Sequence, residues 1–233
     1  MRDSPETAAD AAVKHAYTPA AVADLPIDLD PRIRPRLLAA LDVEGKLPRA
    51  LEALGPIGDR DVLVVGGGEV ERRRLEELGG RLTDAEPLPS RGRARWPIAD
   101  ASVDVIVAAW SAFRGVHRAE IAEADRVLRP EGKLLVVHDY GRDDVSRLRG
   151  DLPEYRDWSR RDGPFLSAGF RIRVLHCFWT FGSVDEARAF LTDAFGEIGS
   201  RLAATLQRPR LSYNVAVYHR ARGGGAAGGV IRS

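Results

Sequence analysis

A short apolar run that ends in three glycines and opens into a charged helical pattern is the feature that most limits what this chain can fold into. The stretch is DVLVVGGGEVERRRLEELG, residues 61–79. Its uninterrupted apolar residues, Val62 to Val65, are typical of a strand buried on both faces of a parallel sheet. Glycines at the end of such a strand let a ligand approach the backbone closely, because a Cβ would obstruct it. The stretch therefore predicts the first β–α unit of an α/β fold.

Strands and helices alternate along the rest of the chain. The predicted strands are 81–85, 103–109, 133–139, 170–181 and 211–221. A helix with one apolar face is predicted at 118–128, between the second and third of these strands. This alternation predicts a Rossmann-like, doubly wound and mainly parallel sheet. The last two strands are separated by helical sequence, and we expect them to pair antiparallel at the edge of the sheet.

The flanking segments differ from this α/β region, which is expected over residues 59–222. Residues 1–30 are rich in Ala, Asp and Pro, and are expected to form a flexible N-terminal segment. The Gly-rich residues 223–233 are expected to form a flexible tail. In residues 31–58, leucines recur at helical spacing and predict a helical extension. The glycine and the proline of EGKLP are expected to break this extension into two helices.

Composition excludes several classes of protein. A net charge of +1 gives no reason to expect binding to nucleic acid, which depends on a concentrated basic face. Cys177 is the only cysteine, so no internal disulfide can form. No apolar run approaches the ~20 residues that span a bilayer, and the N-terminus lacks the apolar core of a secretory signal. A cytoplasmic protein without membrane association is therefore expected.

Three stretches, taken together and in order, resemble class I S-adenosylmethionine-dependent methyltransferases of the branch with the type 11 domain. The most specific is ADRVLRPEGKLLVVHD, residues 124–139, which is similar to that family's helix, Arg-Pro-x-Gly turn and fifth strand. WPIADASVDVIVAAW, residues 96–110, is similar to the segment that leads into its fourth strand. The third is the glycine stretch. The resemblance implies methyl transfer from S-adenosylmethionine to a small-molecule acceptor, without a metal.

The resemblance also implies a set of cofactor-binding residues. They are Gly66, Gly67, Gly68, Glu86, Ile98, Ala99 and Trp110. The glycines would hold the amino acid tail of the cofactor. Glu86, about 20 residues after the first glycine, would accept hydrogen bonds from the ribose hydroxyls, with Asp84 as the alternative. The last three would pack near the adenine and methionine parts.

The segment HDYGRDD, residues 138–144, directly follows the predicted fifth strand of the family pattern. Ligands bind at the carboxyl ends of strands in open α/β sheets, so His138 and Tyr140 are candidates for a general base. The polar residues of this segment could equally bond to the loop backbone, and Asp143 or Asp144 could cap the following helix. No spacing typical of metal ligands occurs here.

Three departures from the family pattern support a different function. Val64 stands where the family usually has an acid, and Val70 stands at its final motif glycine. Only residues 87–90 occupy the place of a helix and a strand, so strand three of the family is expected to be missing or much reduced. The alternative is a catalytically inactive methyltransferase-like protein that acts as a binding or interaction module. Its partner would be another protein or a second copy of the chain.

Overall fold

The computed structural model describes most of the chain between Leu29 and Gly224. The described residues are 29–66, 68–88, 95–110, 112–114, 116–149 and 153–224. The flexible segments predicted at 1–30 and 223–233 lie almost wholly outside them. The helices are α1 (Arg34–Ala40), α2 (Lys46–Leu54), α3 (Glu69–Glu77), α4 (Arg118–Val127), α5 (Asp144–Arg149), α6 (Pro153–Trp158), α7 (Pro164–Ser167) and α8 (Val184–Thr205). The strands are β1 (Asp61–Val65), β2 (Arg81–Ala85), β3 (Val103–Ala109), β4 (Leu128–Asp139), β5 (Arg171–Thr180) and β6 (Arg210–Ala221).

The six strands form one sheet in the order β2-β1-β3-β4-β6-β5. β1 is parallel to both β2 and β3, and β3 is parallel to β4. β6 lies between β4 and β5 and is antiparallel to both. The predicted architecture is therefore confirmed: a Rossmann-like, mainly parallel sheet with an antiparallel C-terminal edge. Of the residues described between β2 and β3, none is in a strand.

Both faces of the central strands are buried, which explains their uninterrupted apolar sequence. On β3, Val105 and Val107 face a cluster that contains buried side chains of α1, α2 and α8. Ile106 and Ala108 face a second cluster, which contains side chains of α4, α6 and α7. The helical extension at the N-terminus thus packs on one face of the sheet, above β4, β5 and β6.

The break between α1 and α2 lies earlier than the sequence predicted. Gly45 adopts a left-handed conformation, with φ +62°, and immediately precedes α2. Pro48 does not break the helix but lies in its first turn, where a missing N–H costs nothing because that group has no intrahelical partner. Asp42 satisfies the neighbouring donors, because its carboxylate accepts from the backbone N–H of Lys46 at 3.0 Å and of Leu47 at 2.9 Å.

β4 is longer than predicted, and α8 is interrupted. β4 begins at Leu128 rather than at 133, because Leu128 already pairs with Val103 and the Arg-Pro-x-Gly turn falls within a register shift between Val103 and Val105. α8 occupies the helical sequence between the last two strands and contains two helical stretches. They meet at Gly196, whose φ of 56° and ψ of −129° interrupt the helix.

Candidate functional site

The glycine turn follows the last residue of β1 and lies at the carboxyl edge of the sheet. Gly66 has φ +61°, a conformation that favours glycine, and its N–H donates to the carbonyl of Ala85 at 3.0 Å. Gly68 is buried and is the N-cap residue of α3, so this position carries no side chain that could cap the helix. The first backbone N–H groups of a helix have no intrahelical acceptor, and the first turn of α3 directly follows the glycine turn. Gly67 lies outside the described residues.

Glu86 lies directly beside this turn, because it follows Ala85, the residue that accepts from Gly66. Its side chain is exposed, and its carbonyl accepts from the indole N–H of Trp96 at 2.9 Å. Asp84, the alternative ribose acid, forms an ion pair with Arg72 instead. The structure thus brings together the glycine turn and Glu86, and it leaves the carboxylate of Glu86 unengaged by any described residue.

The segment after residue 94 is held in place by α4. Arg126 donates from Nη1 to the carbonyl of Ile98 at 2.8 Å and from Nη2 to that of Trp96 at 3.2 Å. Glu123 accepts from the N–H of Trp96 at 2.9 Å and from Arg126 Nε at 2.9 Å. The bond from Arg126 lowers the pKa of Glu123 in spite of its burial. These bonds fix the segment that carries Ile98 and Ala99, of which Ile98 is half-buried and Ala99 exposed.

The loop after β3 contains three non-glycine residues in the left-handed region. Trp110, Phe113 and Val116 have φ of 54°, 58° and 55°. Such conformations cost free energy, most of all for a β-branched residue, and they cluster at ligand sites. Glu120 holds this loop, because its carboxylate accepts from the backbone N–H of Phe113 at 3.1 Å and of His117 at 3.3 Å. The strained loop lies at the same carboxyl edge as the glycine turn.

Trp110 is not at the surface of this edge. Its side chain is buried, and its indole N–H donates to Asp139 Oδ1 at 3.1 Å. With Asp42, Arg74 and other residues it lines a small cavity of about 10 Å³, roughly the volume that one water molecule needs. The packing of Trp110 beside a cofactor stays a prediction, and it would require the indole to leave this position.

His138 is completely buried and is therefore far from an ideal general base. Its Nε2 lies 3.1 Å from the carbonyl of Ala112, and its ring centroid lies 4.7 Å from that of Trp158. Burial, together with the positive charge of Arg114, lowers the pKa of His138 to about 3. The imidazole is therefore neutral at pH 7.

Tyr140 is the more accessible of the two candidate bases. It is half-buried, and its hydroxyl lies 3.4 Å from Arg142 Nη1. The acids that follow have structural partners: Asp143 accepts from the N–H of Ser146 at 2.7 Å, at the start of α5. It also accepts from the N–H of Asn214 at 2.7 Å, which ties the segment to β6. The capping role that the sequence left open for Asp143 is thus the one observed.

Among the described residues, no group of three or more His, Cys, Asp or Glu side chains is arranged to hold a metal ion. No helix of the described part of the chain is both long enough and apolar enough to cross a membrane.

No protein-family model matches the sequence, and no curated protein matches it. Solved structures with a similar fold include a SAM-dependent methyltransferase from Aquifex aeolicus, with 17% identity over 87% of this chain and 98% of that chain, at a TM-score of 0.46. The YcgJ protein from Bacillus subtilis has 15% identity over 77% and 98% of the two chains, at 0.39. Geranyl diphosphate methyltransferase, in complex with GPP and sinefungin, has 17% identity over 76% and 78%, at 0.36. At these values we argue function from the chain's own residues.

Proposed function

We propose that this protein transfers a methyl group from S-adenosylmethionine to a small-molecule acceptor. The observation that supports this most strongly is the contact between the glycine turn and the end of β2. The N–H of Gly66 bonds to Ala85, so that Glu86 lies beside the opening of α3. The cofactor joins a charged amino acid tail to a ribose. The glycine turn suits the tail, and Glu86 suits the ribose.

The amino acid tail fits the turn by charge. Its carboxylate would bind the N–H groups at the start of α3, where the helix dipole favours an anion. Its ammonium would be attracted by the first-turn acids of α3, Glu69 and Glu71. Val64 occupies the family's usual acidic position but is buried in the core, 2% exposed, and has no part in this contact. Its hydrophobic character is therefore compatible with binding.

The ribose and the adenine would lie along the segment that α4 holds. Glu86 would accept hydrogen bonds from the ribose hydroxyls, as acids at the end of the second strand do in related folds. Ile98 would supply apolar surface to the adenine, and Arg126 would keep that segment in place. The bonds from Arg126 to two carbonyls of the segment hold its backbone in position beside the proposed adenine site.

The reaction needs little covalent chemistry from the protein. The bound cofactor would supply an electrophilic methyl carbon on a sulfonium, whose carbon–sulfur bond breaks to leave a neutral thioether as the acceptor bonds to the carbon. The protein aligns the acceptor with that group and takes a proton from the acceptor where one must leave. We place Tyr140 first in the role of base because it is half-buried, and His138 second because a base with a pKa of about 3 takes up a proton poorly.

A substitution at Gly68 tests the proposal. Gly68→Arg places a long side chain at the opening of α3, and Glu77→Arg places the same side chain at an exposed position of that helix. In calorimetric titration with S-adenosylhomocysteine, Gly68→Arg should bind at least ~100-fold more weakly than the wild type, a loss of about 2.7 kcal/mol in binding free energy. Glu77→Arg should bind as the wild type does. A melting curve of each variant reports whether it is folded. Equal affinity in two folded variants would contradict the proposal.

A further inference from the structure

β5 is an edge strand, and its C-terminal half is already covered. The segment between α1 and α2 lies along this half: Asp42 donates from its N–H to the carbonyl of Phe178 at 3.1 Å. Leu41 forms an antiparallel bridge with Trp179. Lys46 Nζ donates to the carbonyl of His176 at 2.7 Å. The outward-facing backbone of this half therefore has partners.

The N-terminal half of β5 presents a free edge. The carbonyls of His176 and Phe178 point away from β6, since they accept from the α1–α2 segment. Backbone groups of a strand alternate in direction with a period of two residues, so the N–H and C=O of Ile172 and Val174 point the same way. No hydrogen bond to these four groups occurs within the described part of the chain. Residues 171–175 thus form an unpaired edge.

Positive side chains accompany this edge on one face of the sheet. Arg171 and Arg173 are exposed on β5, and His219 of β6 is paired with Arg171. His219 is also paired with Leu135 of β4, two residues from Lys133 on the same face. None of these four side chains is in an ion pair with a described residue, and three of them, Lys133, Arg171 and Arg173, carry a positive charge. We call Lys133, Arg171, Arg173 and His219 the basic row.

The charges of the basic row oppose one another. Burial lowers the pKa of His219, and the charges of Arg171, Lys133 and Arg173 lower it further. Charged side chains on an edge strand commonly prevent pairing with another copy of the chain, and this explains Arg171 and Arg173. It does not explain Lys133, which lies on the interior strand β4 and extends the positive surface away from the edge. An acidic partner would both pair the free backbone and neutralise the row.

We propose that residues 171–175 bind an extended acidic peptide of a partner protein, which adds to the sheet as a seventh strand. The peptide's backbone would pair with Ile172 and Val174, and main-chain bonds of this kind give affinity without sequence preference. Acidic residues at every second position of the peptide would face the basic row and give specificity. A second copy of this chain presents the same positive charges and is therefore a poor partner. This inference is independent of methyl transfer.

The probe for the test is a fluorescein-labelled peptide of alternating Glu and Val. Binding is expected at ~100 µM or below at low salt. The charge-reversed variant Arg171→Glu/Arg173→Glu should bind at least about tenfold more weakly. The control Arg60→Glu/Arg73→Glu changes the net charge equally at exposed positions on other elements, and its affinity should change by less than about twofold.

Backbone pairing is tested separately. A peptide N-methylated at every residue keeps its charge but has no backbone donor on either edge, and should bind at least about tenfold more weakly. Hydrogen exchange on the wild-type protein should show the amides of Ile172 and Val174 protected by the unmodified peptide, which needs no variant to fold. Equal binding of the methylated peptide, no protection of these amides, or tighter binding of duplex DNA than of the peptide would each overturn the proposal.

Discussion

The indole N–H of Trp110 donates to Asp139 Oδ1 at 3.1 Å and thereby joins the carboxyl ends of the neighbouring strands β3 and β4. The hydroxyl of Tyr213, on β6, donates to the same oxygen at 2.6 Å. All three side chains are buried. Asp139 therefore connects three strands at the edge where the candidate site lies, and this connection sets the shape of that edge.

Removing a donor to Asp139 should cost stability. Trp110→Phe and Tyr213→Phe each take away one bond to a buried carboxylate, and each should lower the free energy of unfolding by about 1–3 kcal/mol. Tyr140→Phe is the matched control, because its hydroxyl makes only a 3.4 Å contact with Arg142. It should cost less than about 0.5 kcal/mol. Urea unfolding measures all three, and equal values for Tyr213→Phe and Tyr140→Phe would contradict the role given to Asp139.

His138 should make the stability depend on pH. Its pKa is about 3 in the folded protein, against 6.5 for a free imidazole, mainly because of burial. Below pH 6.5 the unfolded chain therefore binds a proton that the folded chain does not. This contribution to stability is complete above pH 6.5 and is lost as the pH falls towards 3, by at most about 1.4 kcal/mol per pH unit.

The variant His138→Gln isolates this effect, since its amide can still donate to Ala112 but does not titrate. Between pH 6.5 and 5 the wild type should lose about 2 kcal/mol more than the variant. Comparison of the two chains cancels the contributions of the other titrating groups. Parallel pH profiles of the two unfolding free energies would show that His138 is not a buried neutral imidazole.

Arg126 should act as a positioning residue for the cofactor segment. Arg126→Ala removes the bonds to Ile98 and Trp96 and leaves the buried Glu123 with only the longer 4.0 Å contact to Arg95, so we expect a loss of about 2–4 kcal/mol in stability. The affinity for S-adenosylhomocysteine should fall about tenfold or more. Arg118→Ala, at an exposed position of the same helix, should leave both quantities unchanged. A change in stability alone would restrict Arg126 to a structural role.

Glu86 should contribute directly to binding. Glu86→Ala removes an exposed carboxylate that has no structural partner among the described residues, so stability should change by less than about 0.5 kcal/mol. The affinity for S-adenosylhomocysteine should fall about tenfold, because hydrogen bonds to a charged group contribute about 1.5–3 kcal/mol. Asp84→Ala, one pleat earlier on the same face of β2, serves as the comparison. A larger loss of affinity in Asp84→Ala than in Glu86→Ala would show that Asp84, and not Glu86, is the acid that binds the ribose.

The strands and their mainly parallel direction could be predicted because each strand carries its own local pattern. Val62 to Val65 is an uninterrupted apolar run that forms β1 together with Asp61, and the predicted strand Val103 to Ala109 has the limits of β3. The placement of Glu86 beside the glycine turn also follows from local features, since the end of β2 is parallel to the end of β1. Short-range patterns are therefore sufficient to predict the strands and the turn that position the candidate site.

Contacts between distant residues could not be predicted. Trp96 and Glu123 are 27 residues apart, and nothing in either segment indicates the bond that joins them. The bond between the indole of Trp110 and Asp139 likewise joins residues 29 positions apart, and no local pattern indicates it. His138 looked accessible at the end of a strand, and only the packing of α6 and α7 shows that it is buried.

The central claim is that the glycine turn of β1 and Glu86 form a working site for S-adenosylmethionine. Calorimetric titration of the purified protein with S-adenosylmethionine and S-adenosylhomocysteine tests it most directly. The account predicts binding of both ligands at micromolar concentration, with a rise in the melting temperature on saturation. Absence of heat and of thermal stabilisation at ~1 mM of either ligand would contradict it, because any affinity stronger than that leaves a measurable signal.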